Sequence, residues 1–431
     1  MNERRRGATE KPVADPARIT ELIASIAAIN DTPADQGITR IGFTPSEKRA
    51  HKQFSDWLCD IGLTVRSDEV GNTIAEKVGL QSLPAIGTGS HLDSVPGGGR
   101  FDGIAGVVAA VHVAELLVRH EIPHRHPLRF VAFVCEEGAR FGQACVGSKA
   151  AGGHWSYEAL QGIRDSNGIS IADAIQRSGG CPSDVVRAIW QKSDWAAFLE
   201  LHVEQGGQLE ESGVDIGLVD LISGSTRFEL VLEGVASHTG STPMHLRADA
   251  LTAAAQVILL AEGIANDGRH RGTRVTVGKV DVHPGSITTI PGRVSLWVDV
   301  RDIDSGRQRL IADEIVRQAR AVCDARRVAL TPRLLSDASP VVLPAWLRDV
   351  TTTAADQRGR SYRVMYSGAS HDSQMVAAVA PAAMIFVPSR GGLSHVPEEW
   401  TSANEIARGV EVLLDSIMAL DKLGESGDCS V

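Results

Sequence analysis

The sequence predicts an α/β fold in which a larger domain, built on a parallel sheet, is interrupted by an inserted ferredoxin-like (α+β) domain. Three observations predict it. Apolar runs that break into polar or Gly-rich loops recur near Ala85, at Leu128 to Val134, at Ala196 to Val203 and at A-A-M-I-F-V-P, as expected for strands covered on both faces. Between about Val219 and Leu335 the pattern changes to strands and helices in the order β-α-β-β-α-β, the split βαβ plan. Finally, 431 residues exceed what one core usually organises, since chains beyond ~250–300 residues divide into domains. The expected segments are 1–221, 222–334 and 335–431, the first and last forming one domain.

Composition narrows the class. With 43% hydrophobic and 22% charged residues the chain reads as an ordinary globular protein. A formal net charge of −10 argues against nucleic acid or an anionic membrane as a partner, because both require a basic face. The opening M-N-E-R-R-R-G-A-T-E lacks a following apolar segment, and no run approaches the ~18–20 apolar residues of a membrane span. Six scattered cysteines without a C-x-x-C pair read as reduced thiols, so the expected location is cytoplasmic.

In order, a helix is expected from about Pro16 to Ile29 and a second, with Ser46 near its cap, to about Ile61. Leu63 to Val70 alternates like a strand and Gly71-Asn72 marks a turn. The next strand opens near Ala85 and ends on Ser90-His91; Asp93 and a Pro/Gly-rich loop follow, and Asp102 stands just before an Ala- and Val-rich helix. The strand from Leu128 runs into Cys135-Glu136-Glu137-Gly138. Adjacent side chains on an extended chain point apart, so the two carboxylates face different parts of one pocket. Two helical pieces, Tyr157 to Leu160 and Ile171 to Ser178, precede A-A-F-L-E-L-H-V-E-Q-G, where Glu200, His202 and Glu204 share one side.

In the inserted segment we expect strands at Arg227–Glu233, Arg274–Val282, Arg293–Arg301 and Arg327–Arg333, and helices at Leu246–Gly263 and Ser305–Ala325. The connections Val219–Gly224 and Leu334–Ser339 read as hinges. A helix at Pro344–Ala355 and S-G-A-S-H-D-S-Q lead to the last strand, a loop holding His395, a closing helix Ser402–Leu423 and a frayed tail.

Four strand ends thus carry His91 with Asp102, Glu136 with Glu137, His202, and His395. Ligands in open α/β sheets sit beyond the carboxyl ends of the strands. Three imidazoles plus carboxylates suit Zn²⁺, with Mn²⁺ or Co²⁺ compatible. Five ligating side chains exceed what one catalytic zinc takes, so two divalent ions sharing a carboxylate fit better.

These residues carry a family resemblance. G-S-H-L-D-S-V-P-G-G-G-R-F-D-G, C-E-E-G-A-R-F, E-L-H-V-E-Q-G, S-H-T-G-S-T-P-M-H-L-R-A-D-A, P-G-R-V-S-L-W-V-D-V-R, S-G-A-S-H-D and G-G-L-S-H-V-P-E-E occur in order across nearly the whole chain. The sequence resembles the zinc-dependent amidohydrolase branch of the aminoacylase and glutamate carboxypeptidase metallopeptidases. That group contains N-carbamoyl-L-amino-acid hydrolases, β-ureidopropionases and allantoate amidohydrolases.

The resemblance implies a di-zinc aminopeptidase-like catalytic domain and an inserted dimerisation or lid domain. It implies one metal on His91 and His202, a second on Glu137 and His395, and Asp102 bridging both. Asp93 would orient His91, Glu136 would be the general base, and His238 would stabilise the oxyanion across a homodimer interface. Arg301 would clamp a substrate carboxylate, with Gln205 and the Ser367–His371 loop as further substrate contacts.

Two positions depart from the family: Thr288 stands where Asn is common, and Ser370 where Gly is usual. An amide both donates and accepts, whereas a hydroxyl is shorter and reaches differently. The expected activity is hydrolysis of an N-carbamoyl-L-amino acid or ureido acid, a small anionic substrate. Allantoate, an N-acyl amino acid or dipeptide, and a catalytically inactive metal-binding protein stand as alternatives.

Overall fold

The structure, a computed structural model, describes residues 11–423; the opening lead-in, the expected frayed tail and Cys429 lie outside them. The chain divides into two compact units. One comprises the residues up to Asp220, Leu343–Met365 and those from His371 onward; the other comprises Leu221–Val342 and Tyr366–Ser370.

The first unit is built on a mixed sheet. Its strands run in the order Thr64–Ser67, Thr73–Lys77, Leu128–Phe133, Ala85–His91, Trp195–Val203, Ala382–Val387 and Ile216–Ile222. The four in the middle, from Leu128–Phe133 to Ala382–Val387, are mutually parallel. The flanking strands pair antiparallel, so the sheet expected as parallel is parallel in its centre and mixed as a whole. Thr73–Lys77 was not expected as a strand. It follows the turn that Asp68 ties by accepting from the N–H groups of Val70, Gly71 and Asn72.

Alternation sorts the central strands into two layers. Leu199, Leu201 and Val203 pack with the wholly buried stretch of the helix Ile104–Arg119 and with the helix Ala403–Lys422. Phe198 joins Phe133, Trp190 and Trp195 on the other face, where the two indoles stack 3.8 Å apart. His202 shares that second face.

The helix starts obey local chemistry more closely than the sequence reading placed them. Thr44 holds the N-cap position, two residues before Ser46, which donates to Asp31. Asp249 caps by accepting from Leu251 and Thr252, so the Ala-rich helix begins at Ala250 and not Leu246. A further short helix, Val146–Ala151, precedes the two expected helical pieces.

In the second unit a sheet runs Ala329–Ala338, Gly224–Glu233, Arg293–Asp302, Arg274–His283, antiparallel at every pairing. In chain order that is 4-1-3-2, the split βαβ arrangement. The helices Ala250–Ala265 and Ser305–Ala325 bury Ala253, Val257, Ile311 and Ile315 against Leu230, Leu296 and Val298 of the sheet. The stretches expected as hinges are largely extended strand, because Ile216–Ile222 and Ala329–Ala338 run into them.

Candidate metal centre

The four mutually parallel strands deliver their carboxyl ends side by side, and the candidate residues of the first unit gather there. His91 ends its strand; Glu136 and Glu137 follow Phe133 by a tight turn; His202 is one residue from the end of its strand; His395 follows Val387 across a loop. Asp102 is the focus. His202 Nε2 lies 3.1 Å and His91 Nε2 3.7 Å from its Oδ1, while His395 Nε2 lies 3.2 Å from its Oδ2. His395 Nε2 is also 3.3 Å from Glu137 Oε2.

The tautomer of His202 makes this arrangement informative. Its Nδ1 is 2.9 Å from the Val203 carbonyl, which can only accept, so Nδ1 carries the hydrogen and a neutral ring presents its Nε2 lone pair to Asp102. A lone pair facing a carboxylate in a buried place needs a proton or a cation between them. Asp93, Asp102, Glu136 and Glu137 put four carboxylates around these rings, all with side chains at most 7% exposed. Uncompensated, that much buried charge is prohibitive. Two divalent cations would balance it, and the imidazole and carboxylate donors suit such ions. His91, Asp102 and His202 form one group whose donor atoms lie within 4.8 Å of each other, and Asp102, Glu137 and His395 form another.

The titration shifts express the same field. Burial opposes charge on His91, but Asp102 and Asp93 outweigh it and hold its pKa well above the ordinary value. Asp102 and Glu137 hold that of His395 up to about 11. Burial also opposes ionisation of Asp102, yet the three imidazoles keep it well below the usual carboxylate range. Glu136 goes the other way: burial pushes it up to about 7, with Glu137 adding to the push and His91 opposing it.

Several supports escaped the sequence reading. Asp93, expected to orient His91, lies 3.4 Å from His91 Nδ1, but it also accepts from the Glu136 and Glu137 N–H groups at 2.8 and 3.1 Å. It therefore fixes the loop carrying both acids. Glu399 accepts from the Phe101 and Asp102 N–H groups, both at 2.9 Å, and from Ser394 Oγ at 2.7 Å, tying together the loops of Asp102 and His395. Gln205, expected as a substrate contact, donates to Asp102 Oδ2 at 2.6 Å. The Cys145 thiol donates to Glu136 Oε1 at 3.0 Å. Glu204 turns away to cap Gln208 and Leu209, so of the acids alternating with His202 only Glu200 stays with it. His371 packs edge-on to the His202 ring at 4.6 Å.

The remaining candidates belong to the second unit. His238 Nδ1 accepts from the Gly240 and Ser241 N–H groups, both at 3.1 Å, which leaves the hydrogen on Nε2 and makes this exposed ring a donor. Thr288 holds the same loop through its carbonyl, which accepts from Thr239 N, and its side chain is exposed. Arg301 is not a free guanidinium, since it pairs with Asp299 at 3.1 Å and donates to the Gly368 carbonyl at 3.1 Å. Ser370 is half-buried in the segment that follows.

A mixed α/β sheet whose central parallel strands gather imidazoles and carboxylates at their carboxyl ends defines an α/β protein with a candidate metal site. Residues 87–419 match the model of Peptidase family M20/M25/M40, and the chain belongs to that family. It is 37% identical over 405 residues to an N-carbamoyl-L-amino acid amidohydrolase of Geobacillus stearothermophilus, covering 94% of this chain and 98% of that one. It is 35% identical over 405 residues to an allantoate amidohydrolase of Bacillus subtilis, covering 93% and 97%. The crystal structure of AtUAH in complex with glyoxylate superposes with a TM-score of 0.91 at 33% identity, covering 95% of this chain and 98% of that chain. The protein is a hydrolytic enzyme of the amidohydrolase kind.

Proposed function

We propose that this enzyme is a di-metal hydrolase that cleaves the linear ureido C–N bond of an N-carbamoyl-L-amino acid or a related ureido acid. The observation that carries the reading is the convergence of His91, His202 and His395 on Asp102 with Glu136 alongside. His91 and His202 would hold one divalent ion and Glu137 and His395 the other, with Asp102 shared. Zn²⁺ is the expected metal and Mn²⁺ or Co²⁺ fit the same donors. Bound there, such ions polarise a carbonyl and bring water's pKa towards neutrality.

The chain's own groups supply the rest. Glu136 has one oxygen anchored by the Cys145 thiol, while Oε2, 3.8 Å from His91 Nε2, is left to take the proton of the attacking water and pass it to the departing nitrogen. His238, held as an Nε2–H donor, would stabilise the oxyanion, acting across a homodimer formed through the inserted unit as the family resemblance implies. Arg301 would bind the substrate carboxylate, exchanging its Asp299 or Gly368 contact for it. One water then converts the carbamoyl compound to amine, carbon dioxide and ammonia. The relatives named above support ureido chemistry, and allantoate is the second reading because one of them is an allantoate amidohydrolase. Thr288 and Ser370, which depart from the family, are the positions at which a ureido substrate would be told from an ordinary amide.

Glu136→Gln tests the assignment. The variant is expected to bind two equivalents of metal, as the wild type does, while turnover falls about 10²–10⁴-fold. Undiminished turnover would remove Glu136 as the base, and a wild type fully active at one equivalent would remove the second ion.

A further inference from the structure

Glu47 looks in the sequence like a surface charge in the first turn of a helix, yet it is only 2% exposed and lies beneath the loop that carries Glu136. Its Oε1 accepts from the Cys135 N–H at 2.7 Å and its Oε2 from the Phe43 N–H at 2.5 Å. Both partners are non-glycine residues in the left-handed region, Cys135 at φ 52° and Phe43 at φ 58°. Such backbone persists only where the surroundings over-determine it. Here one buried carboxyl group holds the amide of each strained residue, one oxygen to each.

The strain at Cys135 has a consequence one residue later. An extended residue there would carry the chain straight on from Phe133; the left-handed turn redirects it and presents Glu136 and Glu137 at the sheet edge. Beyond the turn, Glu136 is held by Asp93 at its N–H and by Cys145 N–H at its carbonyl, at 2.8 and 2.6 Å. The Val146 N–H also holds the Cys135 carbonyl at 3.0 Å and the Gly147 N–H the Val134 carbonyl at 3.0 Å, while the Cys135 amide itself is held by Glu47.

We propose that Glu47 is a positioning residue for Glu136: it fixes the left-handed turn at Cys135 and so aims the general base, without touching substrate or metal. The inference rests on the base assignment made above and deepens it. A group misplaced by about 1 Å can lose about a hundredfold in rate, so loosening this turn should be read in turnover before it is read in binding.

The test uses Glu47→Gln, Glu47→Asp and a control, Asp421→Asn, all in the full chain. Glu47→Gln puts an amide donor against one of the two N–H groups. Asp421 makes the same kind of contact, one carboxylate oxygen accepting from the Arg125 and His126 amides at 2.8 Å, but at the other end of the Leu128–Phe133 strand. For folded, metal-loaded Glu47→Gln, kcat should fall about tenfold or more, with KM and metal content within about twofold of wild type. Hydrogen exchange over residues 133–138 should accelerate. Asp421→Asn should change neither. A merely structural Glu47 would lower melting temperature while leaving kcat per folded molecule unchanged, and that result overturns the proposal. If Glu47→Gln does not fold, the shorter Glu47→Asp should show the same split in milder form. The wild type decides alone if the Cys135 amide exchanges freely. Exchange needs no substrate, so it judges Glu47 even where no ureido or amide compound is turned over, an outcome that would instead sink the proposed function.

Discussion

Replacing Gly103 with Ala perturbs the centre by a single methyl group, and the structure says how much. Gly103 has φ 67° and ψ −43°, and the Ile104 N–H donates to the Asp102 carbonyl at 2.7 Å across it. This is a γ-turn of the strained hand, rare for any residue with a Cβ. Forcing Ala into such a region costs about 1–3 kcal/mol. The methyl would also stand 2.4 Å from Cε1 and 2.6 Å from Nε2 of His91. Ordinary carbon contacts begin near ~3.5 Å, so the imidazole must retreat by about 1 Å or the turn carrying Asp102 must open. Either motion separates His91 from Asp102. Loss of a group that fixes a ligand's orientation typically weakens metal binding by about 10–100-fold. Metal titration followed by mass spectrometry, with melting temperature at each step, should show weakened occupancy and a smaller metal-induced rise. A variant that binds metal with wild-type affinity and turns over normally would refute the placement of Gly103 against the His91 ring.

Other changes have equally definite outcomes. His238→Ala should cost about 3–4 kcal/mol of barrier, read as kcat with metal content unchanged; turnover within a few-fold of wild type would remove it as the oxyanion donor. Leu296, buried opposite Leu230 in the second unit's sheet, should cost about 2–5 kcal/mol on replacement by Ala, measured by urea unfolding. His51 is buried and bonded to Thr73 at 2.9 Å, and burial lowers its pKa to about 4 from an ordinary 6.5. The unfolded chain therefore binds the extra proton between those values, and stability present above pH 6.5 is lost as pH falls towards 4. The loss is at most about 3 kcal/mol. In His51→Gln that part disappears, so wild type should fall more steeply than the variant over this range. Parallel urea midpoints would show that His51 does not titrate there.

How much was legible in the chain follows from how each feature is encoded. The strand ends were legible because an apolar run that breaks into polar or Gly-rich loops marks where a strand leaves the sheet, and His91, Glu136, His202 and His395 stand at or just past such breaks. The split βαβ order of the second unit was legible from periodicity, and its helix Ser305–Ala325 was placed to the residue. Strand direction was not, because an apolar run reads alike parallel or antiparallel; hence the mixed sheet and the unforeseen strand Thr73–Lys77. The supports of the centre were the hardest to see. Glu399 reaches Asp102 from almost three hundred residues away, Gln205 looked like a substrate contact, and Glu47, in the first turn of a helix, carried no mark of its burial. Local sequence carries no signal for such long-range hydrogen bonds to backbone amides. Arg301 was chosen from its motif, while its pairing with Asp299 two residues away was not foreseen.

Ammonia release from the metal-reconstituted enzyme tests the central claim most directly. The panel sets N-carbamoyl-L-amino acids, β-ureidopropionate, allantoate and ureidoglycolate beside matched N-acyl amino acids. The account predicts ammonia from at least one ureido compound, abolished by Glu136→Gln and by chelation. Cleavage of N-acyl amino acids with no ammonia from any ureido compound would contradict it and make Thr288 and Ser370 the marks of an ordinary amidase.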